Sequence, residues 1–230
     1  MPKNKLLLRL SGNDLAELQP HLELIDLEVK QTLLEPDQII DYVYFPETCT
    51  CSMVAQTATK AAIEVGMFGL EGMSNFVTRK GDRSYLRTTV MMPGQCWRIP
   101  AERFSEALGT LTSLNETVLR FRDAIAIQFA YTSFANGSFS IEERLARWLL
   151  MMHDRAGSDS LHIVHDTIAG MLSVRRSGVT NATHVLEGEG AIRATRGTIA
   201  IRDRQKLIAI AGESYGPAEH AYRMLLPVDE

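Results

Sequence analysis

From about Ile25 to Ile99 the apolar positions fall in short runs rich in β-branched and aromatic residues, broken by turn formers every 8–12 residues. Gln38 to Pro46, Cys51 to Ala55, Ala62 to Gly66 and Leu86 to Met92 are such runs, the last stopped by Pro93-Gly94. That spacing predicts an all-β sandwich, roll or barrel rather than a parallel α/β sheet. After Pro100 the period changes. Leu111, Leu114, Val118, Phe121, Ile125, Gln128 and Thr132 recur three and four apart, the seam of a paired helix, although a helix packed on its own domain has the same pattern. A second stripe at Ala124, Ile127, Tyr131 and Phe134 favours two partners, and therefore a dimer helix with Leu114, Val118, Phe121 and Ile125 at its interface.

Asn136-Gly137-Ser138 interrupts this helix, and Ser140-Ile-Glu-Glu143 reads as a capping box that opens another. The new helix repeats its apolar face at Leu145, Trp148, Leu149 and Met152 and stops at Gly157-Ser158. Downstream, Asp166 is placed to cap a short helix with Ile168, Ala169 and Leu172 inside. A tight turn at Ser173-Val174 leads to a second helix, about Arg175 to Glu187, with Val179, Ala182 and Leu186 buried. Two alternating strands around Arg196-Gly197, spanning Ile192 to Ile201, complete a helix-turn-helix with a wing.

Charge changes the picture locally. The net charge is −4, which disfavours indiscriminate coating of nucleic acid. Between Gly170 and Lys206, however, Arg175, Arg176, Arg193, Arg196, Arg202, Arg204 and Lys206 outweigh Glu187, Glu189 and Asp203, whereas residues 1–135 are acidic on balance. The plan puts Arg176, Ser177 and Asn181 where they can read bases, and Arg175, Thr180, Arg193 and Arg196 where they can meet phosphate. An Arg fork fits guanine O6 and N7, and an Asn amide fits adenine N6 and N7.

No run reaches the roughly 18 apolar residues of a membrane span, and the start lacks a signal-peptide pattern, so a cytoplasmic location without membrane contact is expected. Three cysteines are too few for a disulfide framework. No Gly-x-Ser-x-Gly, His-Glu-x-x-His, P-loop or Gly-x-Gly-x-x-Gly occurs, which argues against an enzyme.

Asp166-Thr-Ile-Ala-Gly-Met-Leu172, Val174-Arg-Arg-Ser-Gly-Val179 and Leu186-Glu-Gly-Glu-Gly-Ala-Ile192 together resemble the C-terminal domain of the Crp/Fnr family of transcription regulators. The docking geometry of that family is a standard helix-turn-helix example and is adopted from it. The resemblance implies an α+β chain. Residues 1–110 would form a β-roll sensor like a cyclic-nucleotide-binding double-stranded β-helix, 111–137 a dimerisation helix and 138–230 a winged helix-turn-helix. It implies a homodimer on promoter half-sites of double-stranded DNA, RNA polymerase as a further partner, and a small-molecule effector that the sequence does not identify. The contrasting reading is a cyclic-nucleotide or other ligand-binding dimer whose winged helix no longer binds DNA. The family's recognition helix opens Arg-Glu-Thr-Val and carries an Arg four residues after the Glu; here Arg176-Ser-Gly-Val179 is followed by Asn181, so a different half-site is expected.

The family's nucleotide cassette pairs Gly-Glu with a later Arg-Ser-Ala. Its counterpart here supplies Gly69, Glu71, Arg83 and Arg87 as a ligand pocket, but Leu70 splits the Gly-Glu pair and neither arginine is followed by Ser-Ala, so cyclic AMP and cyclic GMP are not expected to bind. No cofactor and no metal are assigned. Fnr-type iron–sulfur sensors carry an N-terminal cysteine cluster, and this chain has no cysteine before Cys49. On a strand Cys49 and Cys51 share a face, which suits either a two-thiol redox or metal pair or two ordinary core residues. His153, His162 and His165 are the nearest to a metal set, or else contact phosphate.

Overall fold

The computed structural model describes residues 2–57, 61–75 and 81–227. The chain forms two compact units, one of Met1–Met53, Met67–Ala126 and Tyr222–Glu230, the other of Val54–Gly66 and Ile127–Ala221.

In the first unit, helix α1 (Gly12–Leu18) starts where the Ser11 side chain accepts the Asp14 N–H. Strands β1 (Glu23–Leu27), β7 (Gly94–Pro100) and β3 (Tyr42–Pro46) make one antiparallel sheet in the order β1-β7-β3, with Ile25 opposite Cys96 and Phe45 opposite Trp97. A second sheet has the order β2 (Thr32–Leu34), β6 (Arg87–Met92), β4 (Thr50–Gln56), β5 (Ala62–Phe68). These are the short strands that the turn spacing predicts. The sheets turn Val43, Phe45, Val90 and Ile99 inward, and Phe45 meets Phe104 of helix α2 (Ala101–Thr110) in a tilted ring contact.

Helix α3 (Thr112–Ser138) follows, and Asn136-Gly137 belongs to its last turn instead of interrupting it. The apolar stripe expected at a dimer seam packs on the protomer's own interior. Leu114, Val118, Phe121 and Ile125 are buried within the protomer, at 1–7% exposure. A helix laid on its own domain needs an apolar stripe of nearly the same period as a coiled coil, so spacing alone does not separate the two. The stripe that remains exposed is Glu116, Leu119, Asp123, Ala126 and Ala130.

The second unit is built on α4 (Ile141–Ala156). Ser140 accepts the Glu143 N–H while the Glu143 carboxylate accepts the Ser140 N–H, a full capping box, and Gly157 closes the helix in the left-handed conformation at φ 60°. Trp148 is fully enclosed, and its indole N–H donates to Glu64 Oε1 at 3.0 Å. That bond ties Glu64 of β5 to α4, so the unit includes a piece of chain far from residue 138. At Gly66 the approach is closer still, since a Cβ there would stand 2.6 Å from the Phe129 ring.

Helix α5 (His165–Leu172), helix α6 (Arg176–Gly188), the hairpin β9 (Ile192–Thr195) and β10 (Thr198–Ile201), helix α7 (Arg204–Ala211) and helix α8 (Pro217–Leu225) follow. Strand β8 (Ser160–Leu161) pairs with β10, giving the sheet order β8-β10-β9. Among the described residues no helix is long and apolar enough to cross a membrane.

Candidate nucleic-acid interface

Two short helices and one turn fix the candidate reading element. Helix α5 buries Ile168, Ala169 and Leu172, and helix α6 buries Val179, Ala182, Thr183 and Leu186. Between them Ser173 takes a left-handed conformation at φ 52°, its N–H capping the end of α5. A non-glycine residue there costs roughly 1–2 kcal/mol, offset here by the packing that the turn permits. Val164, not Asp166, occupies the N-cap position of α5, and no side chain caps that end. Asp166 sits in the first turn and its carboxylate lies 3.4 Å from Arg176 Nη1.

With four inward residues fixed, the outward arc of α6 follows from about 100° per residue. Ser177, Asn181 and His184 lie along its centre, at i, i+4 and i+7, and all three are exposed. Arg176 stands at the edge of the arc, about 140° from Asn181, on the side of Asp166. Arg175 and Arg176 are exposed at the helix start, where free N–H groups and the helix dipole favour an anion. Among the described residues Arg175, Ser177 and Asn181 make no side-chain hydrogen bond or ion pair. Thr180 differs, because its hydroxyl donates to Arg176 O at 3.2 Å and meets His165 Nδ1 at 3.1 Å, so its donor is engaged inside the unit.

A side-chain bond ties the wing to the helix, from the Ala194 N–H to Glu187 Oε1 at 2.8 Å. Gly197 takes φ 78° at the tip, the turn conformation that glycine adopts without strain. Arg193 and Arg196 are exposed, without partners among the described residues, and Arg202 joins Arg193 along a groove beside the end of α6. His184 and Arg202 escape sequence reasoning. His184 is a position that the helical period could have supplied once the buried side was known, whereas Arg202 needs the hairpin register.

The cassette region is closed by comparison. The Gly69 N–H donates to the Glu71 carboxylate at 3.3 Å, and the Tyr222 hydroxyl donates to the Glu71 carbonyl at 2.6 Å. Arg83 donates to the Asp37 carbonyl, and Arg87 pairs with Glu35 at 2.9 Å. The groups that would meet a nucleotide phosphate are therefore directed at the protein itself.

The three histidines do not assemble. His153 accepts from Arg204 through Nδ1 at 2.7 Å, which leaves its Nε2 proton for Asp159 at 2.8 Å. His162 bonds Thr198, and His165 bonds Thr180. Among the described residues no group of His, Cys, Asp or Glu is arranged to hold a metal ion.

Comparison with known proteins agrees with this geometry. The family model of the Crp-like helix-turn-helix domain matches residues 143–210, and no curated protein matches the chain. Among solved structures the chain is similar to FixK2 from Bradyrhizobium japonicum, with a TM-score of 0.71 at 15% identity, over 83% of this chain and 98% of that one. A Crp/Fnr-family transcriptional regulator from Thermus thermophilus gives 0.68 at 17%, over 82% and 98%. The c-di-GMP responsive regulator CLP from Xanthomonas campestris gives 0.63 at 14%, over 83% and 99%. The chain thus carries a Crp-like helix-turn-helix domain in an α+β fold shared with Crp/Fnr regulators.

Proposed function

We propose that this chain, with a Crp-like helix-turn-helix domain over residues 143–210, is a homodimeric, sequence-specific DNA-binding transcription regulator without catalytic activity. The observation that carries the reading is the outward arc of α6. Ser177 and Asn181 lie on it unpaired, Arg175 and Arg176 flank its start, and the wing adds Arg193, Arg196 and Arg202. Base edges are read by Arg176, Ser177 and Asn181, with His184 one turn further on. Arg175, Arg193, Arg196 and Arg202 hold phosphates. Thr180 has a supporting part, orienting the start of α6 through His165. The effector of the β-roll is a molecule other than cyclic AMP or cyclic GMP.

Binding of promoter fragments, followed by fluorescence anisotropy across a salt series, tests this. Each phosphate contact releases counterions, so log K is expected to fall steeply and linearly with log salt. A flat salt response with no preference among fragments identifies a winged helix that has lost DNA.

Self-association is assigned to the exposed stripe of α3, Leu119, Ala126 and Ala130, because the apolar residues first expected there are inside the protomer. A dimer of this kind is expected to use half-sites about one helical turn, roughly 34 Å, apart. Ala126→Glu is expected to halve the sedimenting mass at micromolar concentration while leaving the melting temperature of the fold nearly unchanged. Ile125→Glu instead buries an unpaired charge and is expected to cost several kcal/mol of folding stability, on the order of 3–5. Unfolding by Ala126→Glu, or an unchanged mass, places the association surface elsewhere.

A further inference from the structure

Every residue of α4 from Leu145 to Met152 is buried, and one of them is an arginine. Arg147 has Leu145, Ala146, Trp148 and Leu149 as its neighbours in sequence, a setting in which a guanidinium is costly unless its donors are met. Two buried polar groups from other elements meet them. Arg147 Nη2 donates to the Thr132 hydroxyl of α3 at 3.0 Å, and Nε donates to the Ser214 carbonyl at 2.9 Å, in the 3-10 turn Gly212–Ser214 that follows α7. Thr132 is free to accept because its own proton goes to the Gln128 carbonyl at 2.8 Å. The Ser214 hydroxyl likewise donates to the Ala211 carbonyl at 2.6 Å. Burial pushes the guanidinium's pKa down, and the charges of Glu219 and Glu64 act against that push.

We propose that Arg147 is a positioning residue for DNA reading, which sets the spacing of the two half-sites by holding the angle between α3 and α4. The inference rests on the reading of the chain as a DNA-binding dimer. Residues Ile127–Ala221 belong to one compact unit, so the last turns of α3 go with α4, α5 and α6. Helix α3 is continuous from Thr112 to Ser138, and the stripe assigned to self-association runs along it at Leu119, Ala126 and Ala130. In a pair joined on that stripe, the distance between the two α6 helices depends on the corner where α3 hands over to α4. Only Phe139 and Ser140 separate these helices. A corner that short leaves its angle to be fixed by side chains on either side of it, and the bond from Arg147 to Thr132 spans it.

Replacing a buried ionic group by an apolar side chain of similar size often leaves stability unchanged or raises it. The arginine therefore contributes arrangement more than strength. Binding a palindrome of the wrong spacing requires α4 to shift against α3, which breaks the Arg147–Thr132 bond. A hydrogen bond to a charged group is worth roughly tenfold in an equilibrium constant, and that factor is the discrimination the brace adds.

The test starts from a palindrome that the full-length protein selects from a random DNA library. The site is remade with its spacer one base pair shorter and one longer, and as a single half-site, and affinity for each is read by fluorescence anisotropy at one salt concentration. The native protein is expected to prefer the selected spacer. In Arg147→Met and in Thr132→Val the preference is expected to fall by roughly tenfold, while binding to the single half-site is unchanged. Thr132→Ser keeps the acceptor and is expected to keep the preference. Circular dichroism checks that each variant is folded, and if Arg147→Met does not fold, the Thr132→Val and Thr132→Ser pair decides alone. The assignment of Arg147 is overturned by an unaltered preference in folded Thr132→Val, by equal losses on the palindrome and the half-site, or by a native protein indifferent to spacing. A native protein that binds no fragment, or that sediments as a monomer, instead overturns the reading as a DNA-binding dimer, and this inference with it.

Discussion

The outward arc of α6 and the cassette around Glu71 hold similar chemistry in opposite states. Both offer arginines, backbone amides and small polar side chains. In α6 most of these face solvent without protein partners, whereas around Glu71 the Gly69 amide, Arg83, Arg87 and the Glu71 carbonyl are bonded within their own unit. A surface with unmet donors can take a polyanion with little rearrangement. A region whose donors are already met must first break those bonds, so affinity there is reduced by their cost.

Three changes break or sharpen this contrast. The largest effect is expected on the reading arc. Arg176→Ala or Asn181→Ala should weaken binding to a selected site by roughly 1–3 kcal/mol and barely affect scrambled DNA, whereas Arg196→Ala should weaken both and lower the salt slope by about one unit. Paired salt titrations separate these patterns, and equal losses on both DNAs for Arg176→Ala move that residue to the phosphate group. A smaller effect is expected in the cassette. Arg87→Ala removes a part-exposed ion pair with Glu35 and should cost below about 1 kcal/mol of stability by chemical denaturation. Calorimetry should find no micromolar site for cyclic AMP or cyclic GMP in the unchanged protein, and a stoichiometric site for either would show that the internal bonds yield easily. The smallest effect is expected from Asp166→Asn. It frees Arg176 from an exposed partner and takes a negative charge away from the phosphate path, so DNA binding should tighten by about 0.5 kcal/mol in a low-salt competition assay.

Local signals made the winged helix-turn-helix legible. The Ser140 capping box, Gly157, the turn at Ser173 and the tip at Arg196-Gly197 each involve residues a few positions apart, and their physical causes are equally local. The β-roll was legible as a class because turn spacing survives any register. Three features needed coordinates. The periodicity of α3 fits inward and outward packing alike, and burial decided for inward at Leu114 and Ile125. The pairing of Asp166 with Arg176 depends on how α5 meets α6, which spacing leaves open. Cys96 stands opposite Pro46 only through the register of β3 with β7, across some 50 residues of chain.

Gly72 sets a different kind of limit on this molecule. A single methyl group added there would stand 2.8 Å from the Phe68 Cβ and 2.9 Å from the tip of the Phe121 ring. Phe68 and Phe121 are themselves fully enclosed, so neither ring has room to step aside. Under random mutagenesis with selection for folded protein, therefore, residue 72 should stay glycine. Any surviving alanine at 72 should arrive together with a smaller residue at 121, a covarying pair that would mark the distance between this loop and the long helix as a quantity held by selection.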